Sequence, residues 1–391
     1  MSIKRPAEES VDEATRGAAL RMAASRPVWE RSGTAEEFLN LPADVFLHAG
    51  PPLSGPDAIP LPMLHGACAA LLFEGRADSY ASAREQILSG AVSLRPAQDV
   101  GLVTPLAAVV SRSMWLHRVI DANGSNGVGY APISDGTGPA QRFGLFDLEV
   151  VERLRFVHEQ VAPALEAVWA KPVDILPLAR ESLSKGDELH GRVGVGSAML
   201  GQSLGALSLP SAVQEYVSGN PQGFLNLWMA ACRCMVGAAM DGKANMLVIA
   251  AGGNGIEFGI KLGKAPDTWL TAPAGEVVGP ALRPALAACK RLPAIGDSAL
   301  IDAVGLGALA LDAAPEQAAL LADPGLLQSM ERVREQALVA MHPGLQRMVG
   351  MNASAVAGDC LPGVCLAALD ADGALGIVGR GVARHPLSLY T

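Results

Sequence analysis

Several things are scarce in these 391 residues, and each scarcity narrows the reading. Aromatic residues make up only 4% of the chain and charged residues only 18%. The 30 basic residues are outnumbered by 39 acidic ones, for a net charge of -9. No basic stripe interleaved with aromatics is present, which argues against a nucleic-acid partner. The six cysteines, Cys68, Cys232, Cys234, Cys289, Cys360 and Cys365, match no zinc or redox spacing. The seven histidines show no H-x-x-x-H pair, so no protein-held metal is expected, and no motif calls for a cofactor. The opening "MSIKRPAEESVDEATRG" has no apolar run of the secretory kind, and a reducing cytoplasm is the expected location. The longest apolar stretch, "GFLNLWMAACRCMVGAAM" (223–240), is short for a membrane span and carries Asn226 and Arg233. A buried helix is expected there, and no membrane partner.

What is abundant is apolar and small. Half of the residues are hydrophobic and 43 are glycine. A chain of this length and composition can bury a large core and is expected to form two or three domains. Helical periodicity covers 8–25, 34–40, 62–75, 79–90, 148–169, 223–240, 294–314 and 326–341. Strand-like runs occur at 44–53 and at 92–121, where Pro96 and Pro105 interrupt them. The segment 123–144 is rich in turn residues. Two hairpins are expected, one at 245–263 around Asn254-Gly255 and one at 363–381 around Asp372-Gly373. The order predicts an α+β chain in which mixed α/β domains flank a helical middle region. The expected divisions are an N-terminal helical arm at 1–40, an α/β domain at 41–146, a helical region at 147–242 and a second α/β domain at 243–391.

Four segments carry chemistry. In "KGDELHGRVGVGSAML" (185–200), Asp187 is suited to cap a helix starting at Glu188, with His190 one turn inside and Arg192 beyond it. Glycines 191, 194 and 196 each cost about 1 kcal/mol in a helix interior, so tight packing or a ligand close to the backbone must offset them. A capped helix with a solvated first turn accounts for the pattern equally well. In "IGDSALID" (295–302), Asp297 or Gly296 can cap, leaving Ser298 in the first turn of a possible anion pocket. In "SDGTGPAQRFG" (134–144), Asp135, Thr137 and Arg142 lie in a loop, and an arginine fork can grip a carboxylate or phosphate. "AAGGNGIEFG" lacks the Gly-Lys-Ser/Thr end of a phosphate loop and reads better as a hairpin turn at Gly253, Asn254 and Gly255. Asn226, if buried, needs hydrogen-bond partners.

Taken in order, "HAGPPL", "PMLHGACAALLFEG", "QRFGLFDLEVVERLRF", "GDELHGR", "FLNLWMAA", "GNGIEFGI", "TWLTAPAG" and "IGDSALIDAVGLGALALDAAP" resemble the AllG (YlbE/YahG-like) family over residues 45 to 315. The likeness continues more loosely through "GIVGRGVARHPL" (376–387). The resemblance implies a mixed α/β fold and a subunit of a three-component oxamate carbamoyltransferase. That assembly moves a carbamoyl group between oxalurate and phosphate in allantoin breakdown, with an FdrA-like relative of succinyl-CoA synthetase among the partner subunits. A homo-oligomer is also expected. The chain departs from the family pattern at Val193, where an Asn follows His-x-Arg, and at Gly253, where an Arg precedes Asn-Gly. A further departure is Ser134-Asp135-Gly136, in place of Asn-Glu-Gly.

The chemistry of carbamoyl transfer then distributes the roles. His190 is the acid/base candidate, oriented by Asp187 or Glu188. Arg142 and Arg192 clamp anionic groups beside Asp135. Backbone at 253–255 and at 297–298 donates to oxygens, and Asn226 faces the site. The alternative is a non-catalytic paralog that binds a small carboxylic acid or scaffolds partner subunits.

Overall fold

A computed structural model describes residues 11–168, 171–321 and 323–391. The helices are α1 (Glu13–Ala24), α2 (Ala35–Leu39), α3 (Leu61–Phe73), α4 (Tyr80–Leu88), α5 (Leu148–Arg155), α6 (Ala162–Ala167), α7 (Leu176–Ser184), α8 (Gly194–Gly205), α9 (Ser211–Ser218), α10 (Gly223–Ala239), α11 (Ala299–Val304), α12 (Pro315–Leu321) and α13 (Pro324–Gln336). The strands are β1 (Pro27–Thr34), β2 (Val45–His48), β3 (Ser93–Pro96), β4 (Val109–Val110), β5 (Trp115–Asp121), β6 (Val128–Pro132), β7 (Val173–Asp174), β8 (Val248–Asn254), β9 (Glu257–Leu262), β10 (Ala265–Pro273), β11 (Ile295–Gly296), β12 (Leu338–His342), β13 (Arg347–Met351), β14 (Gly363–Leu369) and β15 (Ile377–Arg384). They build two four-stranded sheets, β6-β5-β1-β7 and β10-β9-β8-β11, a three-stranded sheet β3-β2-β4, and the hairpins β12-β13 and β14-β15. The fold is α+β, as expected. A hydrophobic cluster runs from Ala18 to Leu389 and joins all of these layers.

Helix α10 organises the first sheet. It is buried on nearly every side and packs on β5 and β6. No helix among the described residues is long and apolar enough to cross a membrane. Gly129 in β6 makes the close approach possible. A Cβ there would lie 2.8 Å from the Cys234 nitrogen and closer still to the Ala230 carbonyl. This is also why β6 hides in a stretch that reads as turns, because Gly129 and the preceding Gly127 serve the helix rather than the strand. Asn226 lies on the same helix, buried, and donates to the Pro132 carbonyl at 2.8 Å.

Other differences from the sequence reading have local causes. The periodic run at 148–169 is interrupted by a π-helical turn over 156–161, just ahead of Pro163. Proline lacks an N–H and crowds the carbonyl four residues back, so the regular ladder cannot continue through it. Trp169, like residues 8–10 of the first helical patch, lies outside the described residues. Helix α8 begins at Gly194 rather than at Glu188. The expected helix at 294–314 divides into β11, α11 and a 3-10 segment over 307–313. Gly305 (φ 124°) and Gly307 (φ 57°) turn the chain there in a region closed to most side chains. The run at 326–341 is helical only to Gln336, and its last residues join β12. Both expected hairpins are present, with Gly255 at φ 87° and Gly373 at φ 64° in their turns.

The Gly129→Ala substitution should lower the unfolding free energy by about 1–3 kcal/mol, since the atoms a methyl meets are helix backbone and cannot rotate away. Urea denaturation of the two proteins measures it, and an unchanged midpoint would show that α10 does not rest on β6 so closely.

Candidate functional site

A cleft of about 720 Å³ opens where α8, α11, the 134–144 loop and the β14-β15 hairpin meet. Asp187, His190, Arg192, Arg142 and Ser298 line it, together with Thr137. Five of the twelve residues given a role from the sequence therefore face one concave surface. Glu188 lies directly beneath them, fully buried.

The turn that carries His190 is built from within. Glu188 turns its carboxylate back on its own loop and accepts from the backbone N–H groups of Gly191 and Arg192. Leu189 adopts φ 71°, uncommon for a branched side chain, and its N–H reaches the Arg192 carbonyl at 3.1 Å. Asp187 accepts from Val195 N–H at 2.8 Å, so it caps α8 from seven residues before the first helical residue. Neither acid orients His190. That role falls to Asp302 of α11, whose Oδ2 lies 2.6 Å from His190 Nδ1. Asp302 Oδ1 accepts from Ala308 N–H at 2.7 Å and from Cys365 N–H at 3.2 Å. The ring therefore donates from Nδ1, and Nε2 is left without a protein partner among the described residues. Sequence reasoning passed over Asp302, although a lone acid inside "ALIDAVGLGALAL" must find donors if it is buried.

Arg142 is buried and pairs with Asp135. Its Nη2 donates to the Gly136 carbonyl at 2.6 Å, and the guanidinium lies 4.2 Å from the centre of the Phe143 ring. Burial pulls its pKa down to about 10, which still leaves it charged at neutral pH. Arg192 is more open, and its Nη1 lies 2.9 Å from Glu316 Oε2. Arg380 on β15 is a third arginine on the rim, exposed and without an ion pair among the described residues. Asp187 is the one acid among the lining residues. With Arg142 and Arg192 paired, Arg380 is the rim cation left without an acid partner among the described residues.

The remaining candidates lie elsewhere. Gly253 is paired within the sheet, opposite Phe258 and Gly296. Asn254 donates to the Pro51 carbonyl at 3.1 Å and accepts from Ile256 and Glu257 N–H. The Gly255 N–H is spent on the Ala294 carbonyl. Asp297 faces away from the cleft and accepts from Gly50 N–H, the Gln98 amide, and both N–H and hydroxyl of Thr104. Burial pushes its pKa up to about 7 against those donors. It is not the side-chain cap of α11, whose cap position is Ser298. No hydrogen bond links Ser298 Oγ to His190 among the described residues, so no Ser–His–Asp relay is assembled. Cys365 also lines the cleft, but burial raises its pKa well above the ordinary range and keeps it a thiol. No group of three or more His, Cys, Asp or Glu that could hold a metal ion occurs among the described residues.

With that geometry in place, the relatives can be weighed. A family model described as oxamate carbamoyltransferase subunit AllG matches residues 92–298, just over half of the chain. The chain belongs to the AllG family. Within it, the chain is 26% identical to an uncharacterised Escherichia coli protein, YahG, over 98% of this chain and 85% of that one. It is likewise 26% identical to the Escherichia coli oxamate carbamoyltransferase subunit AllG, over 97% of this chain and 96% of that subunit. A crystal structure of a conserved Enterococcus faecalis protein of unknown function shares the fold. Its TM-score is 0.87 at 24% identity, covering 99% of this chain and 97% of that one. The AllG match ends at Ser298 and so includes His190, Arg142 and Arg192, while Asp302 and Arg380 lie beyond it.

Burial pushes the Glu188 pKa up to about 6, above its ordinary 4.5. Between those values the folded chain holds a proton that the unfolded chain has released, so stability should fall as pH rises from about 4.5 to about 6. Glu188→Gln removes this titration. The difference in melting temperature between wild type and variant should therefore change across that window and level off above it. A difference independent of pH would show that Glu188 titrates normally.

Proposed function

We propose that this chain is the subunit of a carbamoyltransferase-type complex that binds a small ureido acid and phosphate in the cleft below His190. The observation that carries the reading is the His190–Asp302 pair, which turns Nε2 toward a cleft walled by Arg142, Arg192 and Arg380. A carbamoyl donor of the oxalurate type carries a carboxylate, and phosphate is an anion, so both suit such a wall. In the reaction a phosphate oxygen attacks the ureido carbonyl carbon. His190 Nε2 takes the proton from the attacking hydroxyl and returns it to the departing amide nitrogen. The carbon–nitrogen bond breaks to leave oxamate, and the carbamoyl group is now on phosphate. Asp302 keeps the ring in the required tautomer and stabilises its protonated form. Arginine N–H groups hold the two anions in line and offset charge that builds on the carbonyl oxygen.

Membership of the AllG family supports partner subunits, and the resemblance implies an FdrA-like chain among them. The chain should be tested with them: co-purified with the products of neighbouring genes, then assayed for carbamoyl phosphate from oxalurate and phosphate. Activity is expected, with His190→Ala lowering it by about 10²–10⁴-fold at an unchanged melting temperature. Asp302→Asn should lower kcat more than it raises KM, because the ring is misoriented rather than removed. Full activity of His190→Ala would sink the acid/base role. Tight assembly without turnover on oxalurate would favour a scaffold.

A further inference from the structure

Towards its C-terminal end α10 carries Arg233, whose guanidinium has no hydrogen bond or ion pair among the described residues. It lines a second cavity of about 170 Å³, whose other polar walls are Gln98, Asp99, Lys261 and Asp267. The cavity shares no lining residue with the cleft. From Leu225 at the cleft to Arg233, α10 travels roughly 12 Å at its ordinary rise per residue.

Most of the polar groups here are already committed to one another. Lys261 Nζ lies 2.6 Å from Asp99 Oδ1, and the Trp269 indole donates to the same oxygen at 2.9 Å. The Lys261 ammonium also sits 5.2 Å from the centre of the Trp269 ring. The Gln98 amide is held by Asp297 and by the backbone of Ala251. Two charges remain without a partner among the described residues, the Arg233 guanidinium and the exposed Asp267 carboxylate. Val236, Met240, Ile249 and Pro266 supply apolar wall.

This combination specifies a ligand class. An arginine fork matches a carboxylate with two parallel hydrogen bonds, and a free carboxylate on the wall accepts N–H groups. The space admits a molecule of several heavy atoms. With Lys261 and Asp99 neutralising one another, Arg233 is the single uncommitted cation and Asp267 faces it with a negative charge, a balance that suits one carboxylate better than a dianion such as phosphate. We infer that this cavity is a binding site for a small monocarboxylate bearing N–H donors at its other end, an amino acid in size and polarity. Its ligand carboxylate meets Arg233 and its N–H end meets Asp267.

Calorimetric titration of the purified full chain tests it, with glycine, methylammonium and inorganic phosphate as probes. Glycine should bind saturably, methylammonium should not, and phosphate should not displace glycine. Arg233→Met should weaken glycine by about tenfold or more and Asp267→Asn by about threefold. Arg380→Met, in the cleft, should leave glycine binding unchanged, so this result stands apart from the fate of the carbamoyl-transfer reading. Absence of saturable glycine binding, displacement by phosphate, or loss of binding in Arg380→Met would each overturn the proposal. Should Arg233→Met fail to fold by circular dichroism, Asp267→Asn on the exposed lip decides alone, and an unchanged glycine affinity there refutes the assignment.

Discussion

The arrangement of the cleft depends on one buried carboxylate. Asp302 is fully excluded from solvent, and an ionised group in that position is costly unless its lone pairs are filled. It fills them from three parts of the chain: the His190 ring, the Ala308 N–H and the Cys365 N–H. The first and last of these partners are 112 and 63 residues away in sequence. Gly307 makes room for this, since a Cβ there would collide with the Asp302 carboxylate, and its φ of 57° turns the backbone around it. The loop with His190, the helix start at Ser298 and the hairpin strand β14 are therefore brought to one place by a hydrogen-bond requirement. Hydrophobic burial could be met by many packings, whereas these donors can be satisfied in very few.

The same reasoning explains the opening segment of sequence. Asp187 and Glu188 make no hydrogen bond to His190 among the described residues. They hold the loop that carries it, one by capping α8 and the other by satisfying two N–H groups of the turn. The glycines that make a poor helix at 191 and 194 are well placed in that turn and helix start. Gly196 admits the Phe224 ring and the Ser182 hydroxyl close to the α8 backbone. Loop and helix thus divide at Gly194, where a purely periodic reading placed continuous helix.

What could be read from the residues, and what could not, follows from range. Local devices were legible: the proline start of α3 and the Asn-Gly and Asp-Gly turns of both hairpins. The convergence of the 134–144 loop with the His190 segment and Ser298 followed from the chemistry that the family resemblance implies, although the 253–255 turn expected with them lies elsewhere. Strand β6 was not legible, because Gly129 and the preceding Gly127 are set by the α10 backbone pressed against them, and β10 reads as an exposed edge with few apolar residues. Asn254 and Asp297 looked like ligand groups for a good reason: polar residues in apolar company demand partners. Their partners turn out to be backbone and side chains of residues 50–104 and the following hairpin residues. Sequence identifies the demand for a partner; only the fold says whether protein or ligand supplies it.

That distinction applies to the arginines as well. Arg142 and Arg192 each have a carboxylate already, but the two pairs differ in what a ligand would have to overcome. Arg192 meets Glu316 at the surface, where Glu316 is 82% exposed, and such a pair contributes about 0–1 kcal/mol. An incoming anion can replace it at little cost. Arg142 and Asp135 are both buried, and separating them would strand a charge at about 3–5 kcal/mol. Arg142 is therefore a fixed wall whose field Asp135 largely cancels, while Arg192 is free to exchange partners. Arg380 has no acid to give up. The positive potential available to a ligand accordingly rises from the floor of the cleft at Arg142 toward its rim at Arg192 and Arg380. An anion entering the cleft would be held by its outer end, with the part nearest the floor against the less polar surface around Phe143 and Cys365.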